Sequence, residues 1–153
     1  TDNLTNEINI KGIILSGGPL SITKTSYLGI PKKILNFNIP ILGICYGHQL
    51  LAKQLGGVVK NYKKSEFGRC EIFSDKTSIL TKNFFNKNKK TQVWMNHNDV
   101  VIKIPEGFEG IASSDDYKYT IIQNKKKKIF GVQFHPEVIH TINGNILFKN
   151  FLF

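Results

Sequence analysis

Ile41-Leu42-Gly43-Ile44-Cys45-Tyr46-Gly47-His48-Gln49-Leu50 is the stretch from which the rest of the chain can be read. Its apolar start predicts a short buried strand, the cysteine between two glycines predicts a tight turn, and the residues after the turn predict an amphipathic helix. A side chain at such a turn is pushed out of the backbone path, and Gly43 and Gly47 remove the Cβ atoms expected to crowd it. The helix N-terminus near Tyr46 offers unpaired N–H groups and the positive end of a dipole, which favour a thiolate over a thiol of ordinary pKa about 8.5. Cys45 therefore reads as a nucleophile, against the alternative of a small hydrophobe buried at a strand end.

Upstream, Ile10 to Leu15 reads as a strand running into Ser16-Gly17-Gly18-Pro19. Two glycines after a strand let backbone N–H groups approach an anion or a developing oxyanion, although Gly-Gly-Pro is also an ordinary turn. No lysine followed by Ser or Thr stands at P-loop spacing, so ATP chemistry is not encoded here. Tyr27 to Phe37 predicts a helix with Leu28, Pro31 and Ile34/Leu35 on one side, and Gly47 to Leu55 predicts another, ending at Gly56-Gly57. The β, α, β, α order favours an α/β fold with an open, mostly parallel central sheet and flanking helices. Cys45 then lies at the carboxyl end of a strand, where such sheets bind ligands.

Beyond Gly57 the pattern changes to short strand candidates at meander spacing: Val58–Tyr62, Cys70–Phe73, Gln92–Met95, Val100–Ile104, Gly110–Ser114, Tyr119–Gln123 and Ile129–Phe134. These predict a smaller antiparallel region. Lys76 to Lys90, polar and lysine-rich around Phe84-Phe85, reads as the mobile part, and a last helix is expected from Asn145 to Phe153.

With 153 residues and 41% hydrophobic content, the chain fits one domain over residues 1–153. No apolar run approaches the about 18 residues of a membrane span and no signal segment opens the chain, so a cytoplasmic protein without membrane contact is expected. Cys45 and Cys70 are the two cysteines, outside any metal-ligand spacing. The net charge of +10 invites a nucleic-acid reading, yet Arg69 is the one arginine among 21 basic residues. Arginine forks and interleaved aromatics are missing, so the lysines read as a solvated surface.

The second informative stretch is Gly131-Val132-Gln133-Phe134-His135-Pro136-Glu137. If a strand ends near Phe134, His135 and Glu137 project to one side with Pro136 fixing the backbone between them. A carboxylate there accepts the proton of one imidazole nitrogen and leaves the other to take the thiol proton. With Cys45 this makes a Cys-His-Glu triad for covalent thiol catalysis.

Taken together, these residues resemble class I glutamine amidotransferases, and within them the GMP synthase branch. The supporting segments span nearly the whole chain: Gly12 to Pro19, Gly43 to Gln49, Ser65-Glu66-Phe67-Gly68, Val93-Trp94-Met95-Asn96-His97-Asn98-Asp99, and Gly131 through Thr141. The resemblance implies hydrolysis of the glutamine side-chain amide through a γ-glutamyl thioester on Cys45. His135 would move the proton, Glu137 would orient His135, and the backbone N–H groups of Gly18 and Tyr46 would hold the oxyanion. Gln49, Asn96, Asn98 and Asp99 would hold the amino and carboxylate ends of the substrate. It also implies an ATP-pyrophosphatase synthetase domain or subunit that receives the ammonia and aminates XMP to GMP. ATP and Mg²⁺ would bind only that partner, which would also carry any homodimer contact, and no cofactor or metal belongs to this domain.

Three departures stand out. Asn98 occupies a position where many relatives have glycine, His48 one where methionine is commoner, and the strand and helix that precede Ile10 in relatives are expected to be absent from this chain. His48 reads as a partly exposed helix residue without a role. A split is left open at His97 and Asp99, between a catalytic part and a structural hydrogen bond. The alternatives to GMP synthesis are a glutaminase serving anthranilate or carbamoyl phosphate synthesis, and a silent scaffolding domain, against which all three triad members are present.

Overall fold

Burial on both faces makes Ile41–Ile44 a central strand, since every one of its side chains is enclosed. The computed structural model describes residues 10–24, 27 and 29–153, so Thr1 to Asn9, Thr25, Ser26 and Leu28 lie outside the described residues. Among those described, the strands are β1 (Ile13–Leu15), β2 (Ile41–Ile44), β3 (Val58–Ser74), β4 (Lys90–Lys103), β5 (Glu109–Ser114), β6 (Ile121–Asn124) and β7 (Ile129–Val132). The helices are α1 (Lys32–Asn36), α2 (Tyr46–Gln54) and α3 (Gly144–Leu152). The strands form one sheet in the order β1-β2-β7-β6-β5-β3-β4.

The expected α/β class is observed, with both parallel and antiparallel parts. β1, β2 and β7 run parallel, and the four remaining pairings are antiparallel, so the antiparallel share is the larger one and continues the same sheet. Val58–Tyr62 and Cys70–Phe73 are two ends of β3, and the expected strands Gln92–Met95 and Val100–Ile104 fall on two parts of β4, which stops one residue sooner at Lys103. In β4 the alternation of buried Thr91, Val93 and Met95 continues through buried His97 and Asp99. Polar residues at inward positions hide that continuity from a hydrophobicity reading.

Helix α2 lies very close to the sheet. A Cβ on Gly47 would come within 2.1 Å of the Leu15 carbonyl oxygen, and one on Gly43 within 2.6 Å of the Gly47 backbone. The two glycines of the motif thus admit the helix against β1 and β2; the crowding they relieve is backbone on backbone rather than around the thiol. Helix α1 starts only after Pro31, whose ring suits the residue just before a helix but not one inside it. Gly57 returns its N–H to the Ala52 carbonyl at 2.8 Å to end α2.

The connection from β3 to β4 is pinned, contrary to its reading as the mobile part. Leu80 and Phe84 are fully buried, Phe84 stacks on Phe134 at 5.8 Å between centroids, and Asn150 of α3 donates to the carbonyls of Leu80 and Lys82 at 2.8 Å. Leu147 and Phe151 carry α3 into the core while Leu152 stays exposed. Among the described residues, no helix is long and apolar enough to cross a membrane.

Candidate active site

Parallel pairing of β2 with β7 brings the two informative stretches together, because Ile44 is in register with Val132 and the chain leaves both strands at the same end. Cys45 follows β2 at φ 51°, ψ −105°, a backbone conformation that side chains with a Cβ seldom adopt. It is held there by its N–H donating to the Val132 carbonyl at 2.8 Å and by its carbonyl accepting the Gln49 N–H at 3.2 Å.

His135 is fixed through its backbone. Its N–H donates to the Trp94 carbonyl at 3.0 Å, and its carbonyl accepts the Thr141 hydroxyl at 2.6 Å, which in turn accepts the Trp94 N–H at 3.0 Å. The His135 Nδ1 lies 2.7 Å from Glu137 Oε1. An ionised carboxylate only accepts, so Nδ1 carries a proton, and it is Nε2 that bears the lone pair whenever the imidazole is neutral. Gly17 sits between the imidazole and the cysteine: a Cβ there would stand 3.2 Å from His135 Cε1 and 3.6 Å from Cys45 Cβ.

The thiol is not in the ionised state expected from the helix end. It is buried, donates to the Asn96 carbonyl at 3.6 Å, and receives a long contact from Gln133 Nε2 at 3.9 Å. Burial, aided by the negative charge of Glu137, outweighs the Tyr46 N–H and pushes the Cys45 thiol up to about 11. The residue rests as S–H, so an attack requires a base.

Cys45 opens into a cleft of about 140 Å³, which Gly18, Tyr46, Gln49 and the Asn96–Asp99 segment help to line. That is smaller than the about 300–1,000 Å³ of drug-sized sites and suits a small metabolite. Gln49 commits its amide Nε2 to the Asp99 carbonyl at 2.7 Å and to Gln133 at 3.3 Å. Asp99 is buried, and its carboxylate accepts from Ser21 at 2.6 Å, Thr23 at 2.9 Å and Asn61 at 2.9 Å. Burial alone would raise the Asp99 carboxyl; these donors outweigh it and keep the group below the usual range. Asn96 and Asn98 point outward, Asn98 taking the Ser65 hydroxyl at 2.5 Å. Asn98 has no positive φ, so no glycine-like conformation is required of it.

His97 is buried with Nε2 3.0 Å from Glu66 Oε2, which makes it a structural partner of β3. His48 differs from its sequence reading: it is fully buried, and the backbone groups of Tyr119 and Gly131 lie near its ring without a hydrogen bond of ordinary geometry to either nitrogen among the described residues. It stacks so closely on β7 that a Cβ on Gly131 would lie 2.5 Å from Nδ1. Desolvation, with the nearby His97 adding to it, pushes the imidazole down to about 3. Ser21, Thr23 and Asn61 are invisible to sequence reasoning because single polar residues far along the chain carry no local pattern, and Gln133 lies in an informative stretch that does not reveal its contacts with Gln49 and Cys45. Thr141 ends one of the family segments, but its bridge from His135 to Trp94 does not show there.

The family model for class I glutamine amidotransferases matches residues 1–153. The chain is 50% identical over 145 residues to the glutamine-hydrolysing GMP synthase of Staphylococcus saprophyticus and 45% identical over 142 residues to that of Agrobacterium fabrum. The matches cover 95% and 93% of this chain but only 28% and 27% of those proteins, so the chain spans little more than a quarter of the curated relatives it matches. Among solved structures, a GMP synthase subunit protein from Thermoplasma acidophilum aligns with TM-score 0.77 and 32% identity, over 97% of this chain and 74% of that one. A glutamine amidotransferase from Thermotoga maritima aligns with TM-score 0.59 and 31% identity, over 70% of this chain and 44% of that one. The chain belongs to the class I glutamine amidotransferases.

Proposed function

We propose that this chain hydrolyses the side-chain amide of glutamine, with Cys45 as nucleophile, His135 as proton carrier and Glu137 as the residue that orients it. The observation that carries the reading is the seating of a strained cysteine across Gly17 from an imidazole whose Nδ1 is tied to a carboxylate. Because the thiol rests protonated, its proton passes to His135 Nε2 as sulfur bonds to the amide carbon. The oxyanion that forms is met by the N–H groups of Tyr46 and Gly18. His135 then gives the proton to the leaving nitrogen, ammonia departs, and a γ-glutamyl thioester remains. Water, deprotonated by the same Nε2, hydrolyses the thioester to glutamate and restores the thiol. Gln49, Asn96, Asn98 and Asp99 form the far wall, against which the amino acid end of the substrate rests.

The ammonia is destined for a synthetase domain or subunit that binds ATP and Mg²⁺, aminates XMP to GMP and supplies any homodimer contact. Support comes from relatives named GMP synthase that extend well beyond the matched part. The exposed rim beside the triad, with Ile139, Ile142 and His140 lying tilted against Trp94 at 4.6 Å between ring centroids, suits docking of that partner. The reaction fits the cytoplasm, and the lysine-rich surface is solvated rather than nucleic-acid-bound.

Incubation with a glutamine-mimicking diazoketone, followed by peptide mapping, tests the reading. Cys45 is expected to carry the label, Cys45→Ala to carry none, and His135→Ala to lose at least about 100-fold in labelling rate, the scale of a lost general base. An unlabelled Cys45 in the presence of the synthetase partner overturns it. Restoration of glutamine-dependent GMP formation by that partner, and not by an anthranilate or carbamoyl phosphate synthase partner, separates the pathways.

A further inference from the structure

Behind the cleft wall the backbone ladder is interrupted. β3 and β4 pair regularly up to Glu66↔His97 and resume at Asn61↔Asp99, so residues 62–65 face the single residue Asn98. A bulge of this size costs ladder bonds and frees β3 to bend, directly opposite the Asn96–Asp99 residues of β4 that line the cleft. Three side chains of β3 take over where the ladder fails. Glu66 holds His97 at 3.0 Å, Ser65 holds Asn98 at 2.5 Å, and Asn61 holds Asp99 at 2.9 Å. The bulge is itself anchored, because the Tyr117 hydroxyl donates to the Lys64 carbonyl and Lys64 pairs with Asp116 at 2.6 Å.

Of the three, Glu66 stands apart. It is buried, and one carboxylate oxygen takes His97 while the other takes the Ser114 hydroxyl of β5 at 2.7 Å and the Cys70 thiol at 3.4 Å. One side chain therefore bonds across three strands. Burial by itself would raise the Glu66 carboxyl, but His97 and Ser114 outweigh it and hold the group low, so it stays an acceptor and keeps the proton of His97 on Nε2.

Resting on the glutaminase reading above, we propose that Glu66 is a positioning residue for substrate binding: through His97 it sets the Asn96–Asp99 wall against which the amino acid end of glutamine is held. Glu66 is not among the residues lining the cleft, and the thiol it accepts is that of Cys70, not Cys45. Its loss is therefore expected in the affinity for glutamine-shaped ligands rather than in the reactivity of Cys45.

The test uses the chain assembled with its synthetase partner and compares wild type, Glu66→Ala, Glu66→Gln and Ser114→Ala. KM for glutamine and the half-saturating concentration of the diazoketone are expected to rise about tenfold in Glu66→Ala, the equivalent of one charged hydrogen bond. The maximal inactivation rate and the rate of Cys45 alkylation by iodoacetamide, which has no amino acid end, are expected to change by less than about threefold. Glu66→Gln, which keeps an acceptor for His97, is expected to recover part of the loss. Unchanged KM in a folded Glu66→Ala overturns the proposal, as does a parallel loss in iodoacetamide rate. Should Glu66→Ala not fold, Ser114→Ala, which removes one of the donors to Glu66, decides: a smaller rise in KM supports it and none overturns it. A wild type that the diazoketone does not label at all overturns the glutaminase reading and this inference with it.

Discussion

His48 is the residue with the least local justification. A fully buried imidazole whose nearest polar groups, the backbones of Tyr119 and Gly131, make no hydrogen bond of ordinary geometry recovers little of its lost hydration, a deficit of up to about 1–3 kcal/mol. His48→Met, close in volume and without polar atoms, is expected to stabilise the chain by about that amount at pH 8, measured from denaturant midpoints. The acid limb should change as well. The folded-state value of about 3 lies below the unfolded value of 6.5, so between these the unfolded chain binds the extra proton and stability falls as pH drops. At about 1.4 kcal/mol per unit this can reach roughly 5 kcal/mol by pH 3. His48→Met should remove it, flattening the stability curve below pH 6.5. An unchanged acid limb would mean that the native imidazole titrates normally.

Among the elements, α2 depends on how closely it can approach β1. Gly47→Ala would put a Cβ 2.1 Å from the Leu15 carbonyl oxygen, and backbone on both sides leaves nothing flexible to yield. A loss of about 3 kcal/mol or more is expected in chemical denaturation, with weaker diazoketone labelling because Cys45 sits at the start of that helix. Gly56→Ala offers the contrast: no atom lies within 4 Å, and its cost comes only from φ +100°. This element was legible because the strand, turn and helix of 41–55 carry their signals within a few residues. His135 and Glu137 were legible for the same reason, being two residues apart. The length of β4 was not, since core-facing His97 and Asp99 break the apolar alternation. Nor was the anchoring of Asp99 by Ser21, whose partner stands 78 residues away and whose selection depends on the folded sheet alone. Lys76 to Lys90 misled because its many lysines mask Leu80 and Phe84, the two side chains that enter the core.

Across the whole molecule, stability should be graded by position in the sheet. β2 and β7 are buried at every position and paired on both sides, whereas among the described residues β1 and β4 are the edges. Amide hydrogen exchange is expected to be slowest in Leu42–Ile44 and Phe130–Val132 and faster by orders of magnitude in β1, where the ladder has one partner and three residues. Equal protection in β1 would show that its outer edge is covered. The seam where the sheet passes from parallel to antiparallel runs along β7, and the two catalytic candidates leave the sheet on its parallel side. Cys45 is one of five described non-glycine residues at positive φ, and its ψ of −105° lies outside the left-handed helical region, so glycine would accept its conformation more readily. Folding alone would thus tolerate, and even welcome, the loss of that side chain. If the proposed chemistry is what keeps a cysteine there, a chain released from that chemistry should be able to exchange Cys45 for glycine and keep the fold.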